Sequence, residues 1–258
     1  MPQPIIMVHG AFCGGWTFEA FRKPFEAAGY RPQVPDLRGH GPADPPEAVR
    51  NLSMLDYAAD IAAQAQACHE PPVLIGHSLG GLVSLLAARR APVAGLILLA
   101  PSPPWGVSGW TVEEGVTALG LHLLGPYWIQ AVAPDRNLML HYSLDRVAAG
   151  RRRPVLERMK AESGRALWES LNWWLDPAMT TSVGNGPMPP ALVLCGGRDA
   201  VHPPATARAT AQRIGATCEI LPEMSHWLPG EPGWEYVAQR CLDWLDAMAP
   251  SQAQARAP

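Results

Sequence analysis

Apolar positions along the chain fall into short blocks separated by longer stretches of mixed polarity. Residues 5–9, 32–37, 73–77, 95–100, 192–196 and 219–221 are aliphatic or β-branched runs bounded by Gly or Pro. That pattern predicts buried strands. Helical spacing fills the intervals. Ser53 is placed to cap a helix running to Cys68, with Leu55, Ala58, Ala59, Ala62 and Ala65 as its small-residue face. Further helices are predicted over 79–90 after a glycine turn, 204–214 after a proline pair, and 233–248. Strands alternating with helices predict an α/β fold, a mostly parallel sheet of about six strands flanked by helices.

The alternation breaks between about Ser102 and Pro190, where the pattern is helical throughout. Thr111 and Glu114 form a capping box, Leu119, Leu123 and Leu124 give apolar spacing, and Leu167, Leu171 and Trp174 form a second stripe. Proline-rich ends, "APSPPWG" and "GNGPMPPA", bracket the stretch. The expected organisation is a core of residues 1–101 and 190–248, with 102–189 a helical insertion on the C-terminal ends of the strands. The tail 249–258, "APSQAQARAP", is expected to be disordered.

Composition narrows the function classes. A net charge of −3 gives no bulk attraction to nucleic acid or to an anionic membrane. The one basic cluster, Arg151-Arg152-Arg153, reads as a solvated helix end. No signal peptide and no run of about 18 apolar residues is evident. Five cysteines, an odd number without CxxC spacing, fit reduced thiols and a cytoplasmic protein. Of the ten tryptophans, Trp105, Trp110, Trp128, Trp168, Trp173 and Trp174 fall inside the insertion.

The strongest chemical signal is "LIGHSLGGL", residues 74–82, a G-x-S-x-G centred on Ser78. An apolar strand enters it and a Leu/Ala-rich helix leaves it, the setting of a nucleophile elbow. A serine hydroxyl needs a base, and the base needs an orienting group. "LVLCGGRDAVHPP" puts Asp199 just past one strand, and "LPEMSHWL" puts His226 just past the next. In a parallel sheet both reach the edge that carries Ser78. The predicted triad is therefore Ser78, Asp199 and His226. His202, the nearest competing histidine, adjoins the acid in the same loop, and His77 is expected to pack rather than titrate. No HExxH or HxH spacing marks zinc, and the glycines of "HGAFCGGW" precede no Walker lysine and lack G-x-G-x-x-G spacing. No metal or cofactor is expected.

Together "HGAFCGGW", "DLRGHG", "GHSLGG", "GGRD" and "SHW" resemble the α/β-hydrolase superfamily across nearly the whole chain. The resemblance implies a lid inserted after the sixth strand. It also implies an oxyanion hole made by the backbone N–H groups of Ala11 and Leu79. The opening loop is similar to that of the plant methylesterase and hydroxynitrile lyase group. Its lyases carry Thr where this chain has Ala11, and a lid lysine; the lone lysine of this insertion is Lys160. Ala11 therefore points to ester hydrolysis. Epoxide hydrolases and dehalogenases of the fold use an Asp nucleophile, which Ser78 argues against.

The expected activity is hydrolysis of small-molecule carboxylic esters with an apolar acyl or alcohol group, through an acyl-enzyme on Ser78. Phe12, Trp105, Trp128 and Trp227 are candidate pocket residues, the alternative being that the tryptophans fill a core of their own. The same triad could open lactones, cleave thioesters or C–C bonds, or transfer acyl groups, and a slow-turnover small-molecule receptor is the alternative from another class. A monomer or homodimer is expected.

Overall fold

The computed structural model describes residues 3–108 and 125–255, the side chains of 249–255 excepted. Trp110 and the predicted pattern of Thr111, Glu114, Leu119, Leu123 and Leu124 lie outside the described residues. The described strands are β1 (Pro4–Val8), β2 (Arg31–Gln33), β3 (Val73–His77), β4 (Gly95–Leu99), β5 (Ala131–Val132), β6 (Glu162–Ser163), β7 (Ala191–Gly196) and β8 (Thr217–Leu221). The described helices of six or more residues are α1 (Arg22–Ala27), α2 (Met54–Ala67), α3 (Leu79–Ala88), α4 (Ala149–Arg158), α5 (Gly164–Leu171), α6 (Pro204–Ile214) and α7 (Trp234–Ala255).

Six strands form one parallel sheet in the order β2-β1-β3-β4-β7-β8. Its register follows from the apolar runs, because side chains alternate between faces along a strand. Ile6 pairs with Leu74, Leu74 with Leu96, and Leu98 with Val193. These residues face one core, closed by α2, α3 and α6. Ile5, Met7, Val73, Ile75, Ile97 and Leu99 face the other, closed by Phe18, Phe21, Phe25 and the apolar side of α7. Both faces are covered, so the central strands read as continuous apolar runs. Each fully buried aliphatic side chain contributes about 1.5–3 kcal/mol.

The order β2-β1-β3 has a consequence for the site. From β1 the chain leaves to α1 on one face, and from β3 to α3 on the opposite face. Neighbouring strands whose connections diverge leave a crevice at their carboxyl ends. The loops after β1 and β3 carry "HGAFCGGW" and "GHSLGG".

Several boundaries differ from the sequence expectation. β2 stops at Gln33 because the chain turns out of the sheet, and the Val34 carbonyl then lies against Gly15. A Cβ on Gly15 would meet that oxygen at 2.1 Å. β8 begins two residues earlier than predicted, at Thr217, and α7 continues past Met248 to Ala255. In α2, Ser53 caps as predicted: its Oγ accepts from the Leu55 N–H, and its own N–H donates to Asp56. The buried face of α2 adds Met54, Tyr57 and Ile61 to the alanines, whereas Ala59 points to solvent.

The stretch between β4 and β7 is not helical throughout. β5 and β6 pair antiparallel, Ala131 opposite Ser163. α5 ends at Leu171, so Trp174 leaves the predicted stripe and is 40% exposed. The segment docks on the α2 N-terminus through Glu169, whose carboxylate accepts from the Ser53 hydroxyl and the Met54 N–H, both at 2.8 Å. A carboxylate there complements the positive end of the helix.

Candidate active site

Ser78 occupies the turn between β3 and α3 with φ 52° and ψ −122°, a conformation costly for a side chain with a Cβ, of order 1–3 kcal/mol. Backbone bonds hold it there: its N–H donates to the Leu99 carbonyl, and its own carbonyl accepts from Gly81 and Ser102. The flanking glycines are steric requirements. A Cβ on Gly76 would lie 2.3 Å from the Gly80 carbonyl oxygen, and one on Gly80 would lie 2.2 Å from that of Val8. The elbow thus packs directly against the end of β1, which brings the loop after β1 beside the Ser78 hydroxyl.

The loops after β7 and β8 bring in Asp199 and His226 as the sequence predicts. His226 Nδ1 lies 2.9 Å from Asp199 Oδ2, and His226 Nε2 lies 3.1 Å from Ser78 Oγ. With Nδ1–H donating to the carboxylate, Nε2 carries the lone pair that accepts from the hydroxyl. Asp199 Oδ1 accepts from the N–H groups of Val201 and His202. Burial alone would raise the Asp199 pKa, but His226 and the hydrogen bonds outweigh it and hold the carboxyl below its usual range. All three residues are under a tenth exposed. This geometry can take a proton from the serine and hold the imidazolium that forms.

His77 and His202 make other contacts. His77 Nε2–H donates to the His226 carbonyl at 2.8 Å, and burial together with the nearby His226 pushes its pKa down to about 3. It is a neutral strut under the His226 loop. His202 Nε2 contacts Ser102 Oγ at 3.0 Å, and its ring lies 5.3 Å from that of His226. Glu231 braces the same loop, accepting the Ser225 N–H at 2.6 Å. Burial, reinforced by Asp145, pushes the Glu231 pKa up to about 7.

A cavity opens at Ser78, floored by Gly10, Ala11 and Leu79. Among the described residues no hydrogen bond engages the Ala11 N–H. Phe12 and Trp227 line the cavity, as predicted. Trp105 and Trp128 are not among its lining residues. Trp105 packs edge-on against Trp173 with centroids 5.7 Å apart, and Trp128 faces a separate groove beside Trp168 and Leu175. An aromatic side chain packs equally well on another ring or on a cavity, and Trp105 spends its face on Trp173. The cavity wall comes instead from Met139, Met159, Leu167 and Leu171, with Ser102, Ser143, Ser170 and His202 as polar points. Leu167 and Leu171 belong to the stripe read from the sequence, whereas no periodicity marked Met139 and Met159, which come from separate segments.

The double glycine behaves as its position suggests. The Gly15 N–H donates to Asp36 Oδ1 at 2.7 Å and folds the opening loop onto the chain after β2. Trp16 then faces Trp227 and the Arg158 guanidinium. Lys160 is directed away from Ser78: its ammonium binds the carbonyls of Gly41 and Asp44. All five cysteines are free, and among the described residues no cluster could hold a metal ion. No described helix is long and apolar enough to cross a membrane.

A sequence model of the alpha/beta hydrolase family matches residues 5–240. A pyrethroid hydrolase of Sphingobium wenxiniae is 41% identical over 103 residues, 37% of this chain and 34% of that protein. The dihydrolipoyllysine-residue acetyltransferase component of an acetoin cleaving system from Pseudomonas putida is 31% identical over 94% of this chain and 63% of its own length. This chain thus spans about a third and about two-thirds of those two relatives. Among solved structures, a pyrethroid hydrolase from Sphingobium faniae superposes with a TM-score of 0.69 at 25% identity, covering 97% of this chain and 100% of that one.

Proposed function

Since the chain belongs to the alpha/beta hydrolase family, we propose that it is a carboxylic ester hydrolase acting through an acyl-enzyme on Ser78. The observation that carries this reading is the continuous relay from Asp199 through His226 to Ser78, at 2.9 Å and 3.1 Å. Ser78 attacks the ester carbonyl as His226 takes its proton, and Asp199 fixes the tautomer and stabilises the imidazolium. The N–H groups of Ala11 and Leu79 bind the oxyanion. His226 returns the proton to the departing alcohol. Water, deprotonated by His226, then attacks the acyl carbonyl; the bond to Ser78 breaks, its oxygen takes the proton back from His226, and the carboxylic acid leaves.

Residues 102–189 act as a lid whose apolar side chains exclude water and hold the acyl or alcohol group. The mostly aliphatic wall favours compact apolar esters, and Ser102 and His202 offer one side a hydrogen-bonding partner. A second reading, acyl transfer, is favoured by the acetyltransferase relative that aligns with most of the chain. An acyl-enzyme supports it if an alcohol or thiol outcompetes water.

The test is a panel of p-nitrophenyl esters varied in acyl size, with and without alcohol and thiol acceptors, with Ser78→Ala as control. Loss of the nucleophile should lower kcat by about six orders of magnitude while the protein stays folded. Turnover retained in Ser78→Ala would overturn the assignment.

A further inference from the structure

A second buried histidine–carboxylate pair lies behind the oxyanion loop. Glu162, in β6, is fully buried and is not among the residues lining the cavity. Its carboxylate accepts three hydrogen bonds and faces a histidine from a fourth part of the chain. His40 Nε2 lies 3.2 Å from Oε2, the Tyr57 hydroxyl donates to Oε1 at 2.7 Å, the Ser163 N–H donates to Oε1 at 2.7 Å, and the Phe12 N–H reaches Oε2 at 3.4 Å. His40 belongs to "DLRGHG", a loop the proposed reaction otherwise leaves unused. Its Nδ1–H donates to the Arg38 carbonyl, so an ion pair with Glu162 requires the ring to be doubly protonated. The surroundings favour that state: although burial opposes it, Glu162 and Asp36 hold the His40 pKa above its ordinary value.

The contact to Phe12 gives this pair its significance. Phe12 directly follows Ala11 and has φ 64°, a left-handed conformation that a bulky residue rarely adopts. Both sides of its backbone are held by the segment ending in Glu162: the N–H by the carboxylate, the carbonyl by the Lys160 N–H at 2.9 Å. Before Ala11, His9 Nδ1–H donates to the Gly10 carbonyl and its Nε2 accepts from the Leu37 N–H, with the ring edge-on to His40 at 5.1 Å. The Ala11 peptide is therefore suspended between two residues whose positions depend on this cluster. A buried ion pair is weak evidence for stability, because desolvation offsets the attraction. Its value here is geometric.

We infer that the Glu162–His40 pair positions the Ala11 N–H for oxyanion binding, so that the segment after β4 supplies a positioning residue to the reaction without touching substrate. This rests on the reading of Ala11 as an oxyanion donor.

The test is steady-state kinetics on a p-nitrophenyl ester together with the inhibition constant of phenylboronic acid, for wild type, Glu162→Gln and Ser78→Ala. On Ser78 the boronic acid becomes a tetrahedral anion whose oxygen occupies the oxyanion position. In Glu162→Gln an amide donor replaces an acceptor near the Phe12 N–H and the charge that holds His40 is gone. A misplaced catalytic group can cost about 100-fold. Glu162→Gln should therefore lower kcat about 100-fold with KM within about twofold, and the boronate inhibition constant should rise by the same factor, both normalised to titrated active sites. If Glu162→Gln does not fold, His40→Gln, which leaves the carboxylate in place, should move the same two constants together by about 10-fold. An unchanged kcat, or a reduced kcat with an unchanged boronate constant, would overturn the inference. Ser78→Ala separates the two levels: if it still turns over ester, the function reading fails, whereas if only the coupled shift is missing, this inference alone fails.

Discussion

Two histidine–carboxylate pairs flank the end of β1, and they differ in what surrounds them. Asp199 and His226 come from adjacent strand ends of one sheet, and His226 faces both Ser78 and the cavity. Glu162 and His40 come from the segment after β4 and the loop after β2, and Tyr57 seals the carboxylate in place. The first pair can pass a proton to a reacting group. The second lines none of the described cavities, and its neighbours are the Tyr57 hydroxyl and backbone groups that it holds. The same two chemical groups thus become relay or anchor according to what the imidazole's second nitrogen faces.

Disturbing the relay should have the largest effect. Asp199→Asn keeps the shape but reverses the hydrogen bond to Nδ1, leaving His226 in the wrong tautomer. The expected fall in kcat is about 10⁴-fold with the thermal transition largely retained. A loss under tenfold would mean that Asp199 does not orient His226. The anchor should act more weakly on rate and more on stability. Tyr57→Phe removes one donor from a sealed carboxylate, which should cost about 1–3 kcal/mol in denaturant unfolding. A neutral result would show that water replaces the hydroxyl.

Protonation separates the pairs further. Glu162 is fully buried; burial opposes its ionisation, but His40 outweighs it, so its pKa lies below the ordinary 4.5. Its contribution is present above 4.5 and is lost as pH falls through the lowered folded value. His40 has a raised pKa, so its contribution is complete below 6.5 and fades as pH rises through the folded value. His9, Asp36, Tyr57 and Glu162 are the titratable groups that face it or act on it. Thermal melts of wild type and His40→Gln should accordingly converge as the pH is raised from 6 towards 9. A constant gap would mean that His40 carries no charge in the folded protein.

The smallest effect concerns the brace behind the relay. Glu231, with a folded pKa of about 7 against an ordinary 4.5, ionises more readily when unfolded. It subtracts nothing from stability below 4.5, destabilises increasingly as pH rises from 4.5 to about 7, and carries a constant penalty above that. Glu231→Gln keeps the acceptor for the Ser225 N–H, so it should raise the melting temperature by a few degrees at pH 8 and leave it unchanged at pH 4. Equal shifts at both pH values would trace the effect to packing instead of charge.

Much of this was legible in the residues. The sheet could be read because each central strand is buried on both faces and so carries an apolar run, such as Leu96, Ile97, Leu98 and Leu99. Ser78 was legible because a strained turn demands glycines at fixed offsets. Asp199 and His226 followed because a parallel sheet puts all strand ends on one edge. Trp105 and Trp128 misled, since an aromatic residue looks the same whether it faces a cavity or its own neighbours. Their places depend on where turns fall between β4 and β7, and those turns have no period.

The sequence by itself determined the sheet, the elbow and the order of Ser78, Asp199 and His226, because each depends on local pattern and on the one direction in which the strands run. Only the tertiary structure decided that His40 meets Glu162, 122 positions later, against the N–H of Phe12. A charged residue in a two-residue strand carries no local mark of its partner. The burial of that charge, and therefore its pairing, is decided when the segment docks on the core.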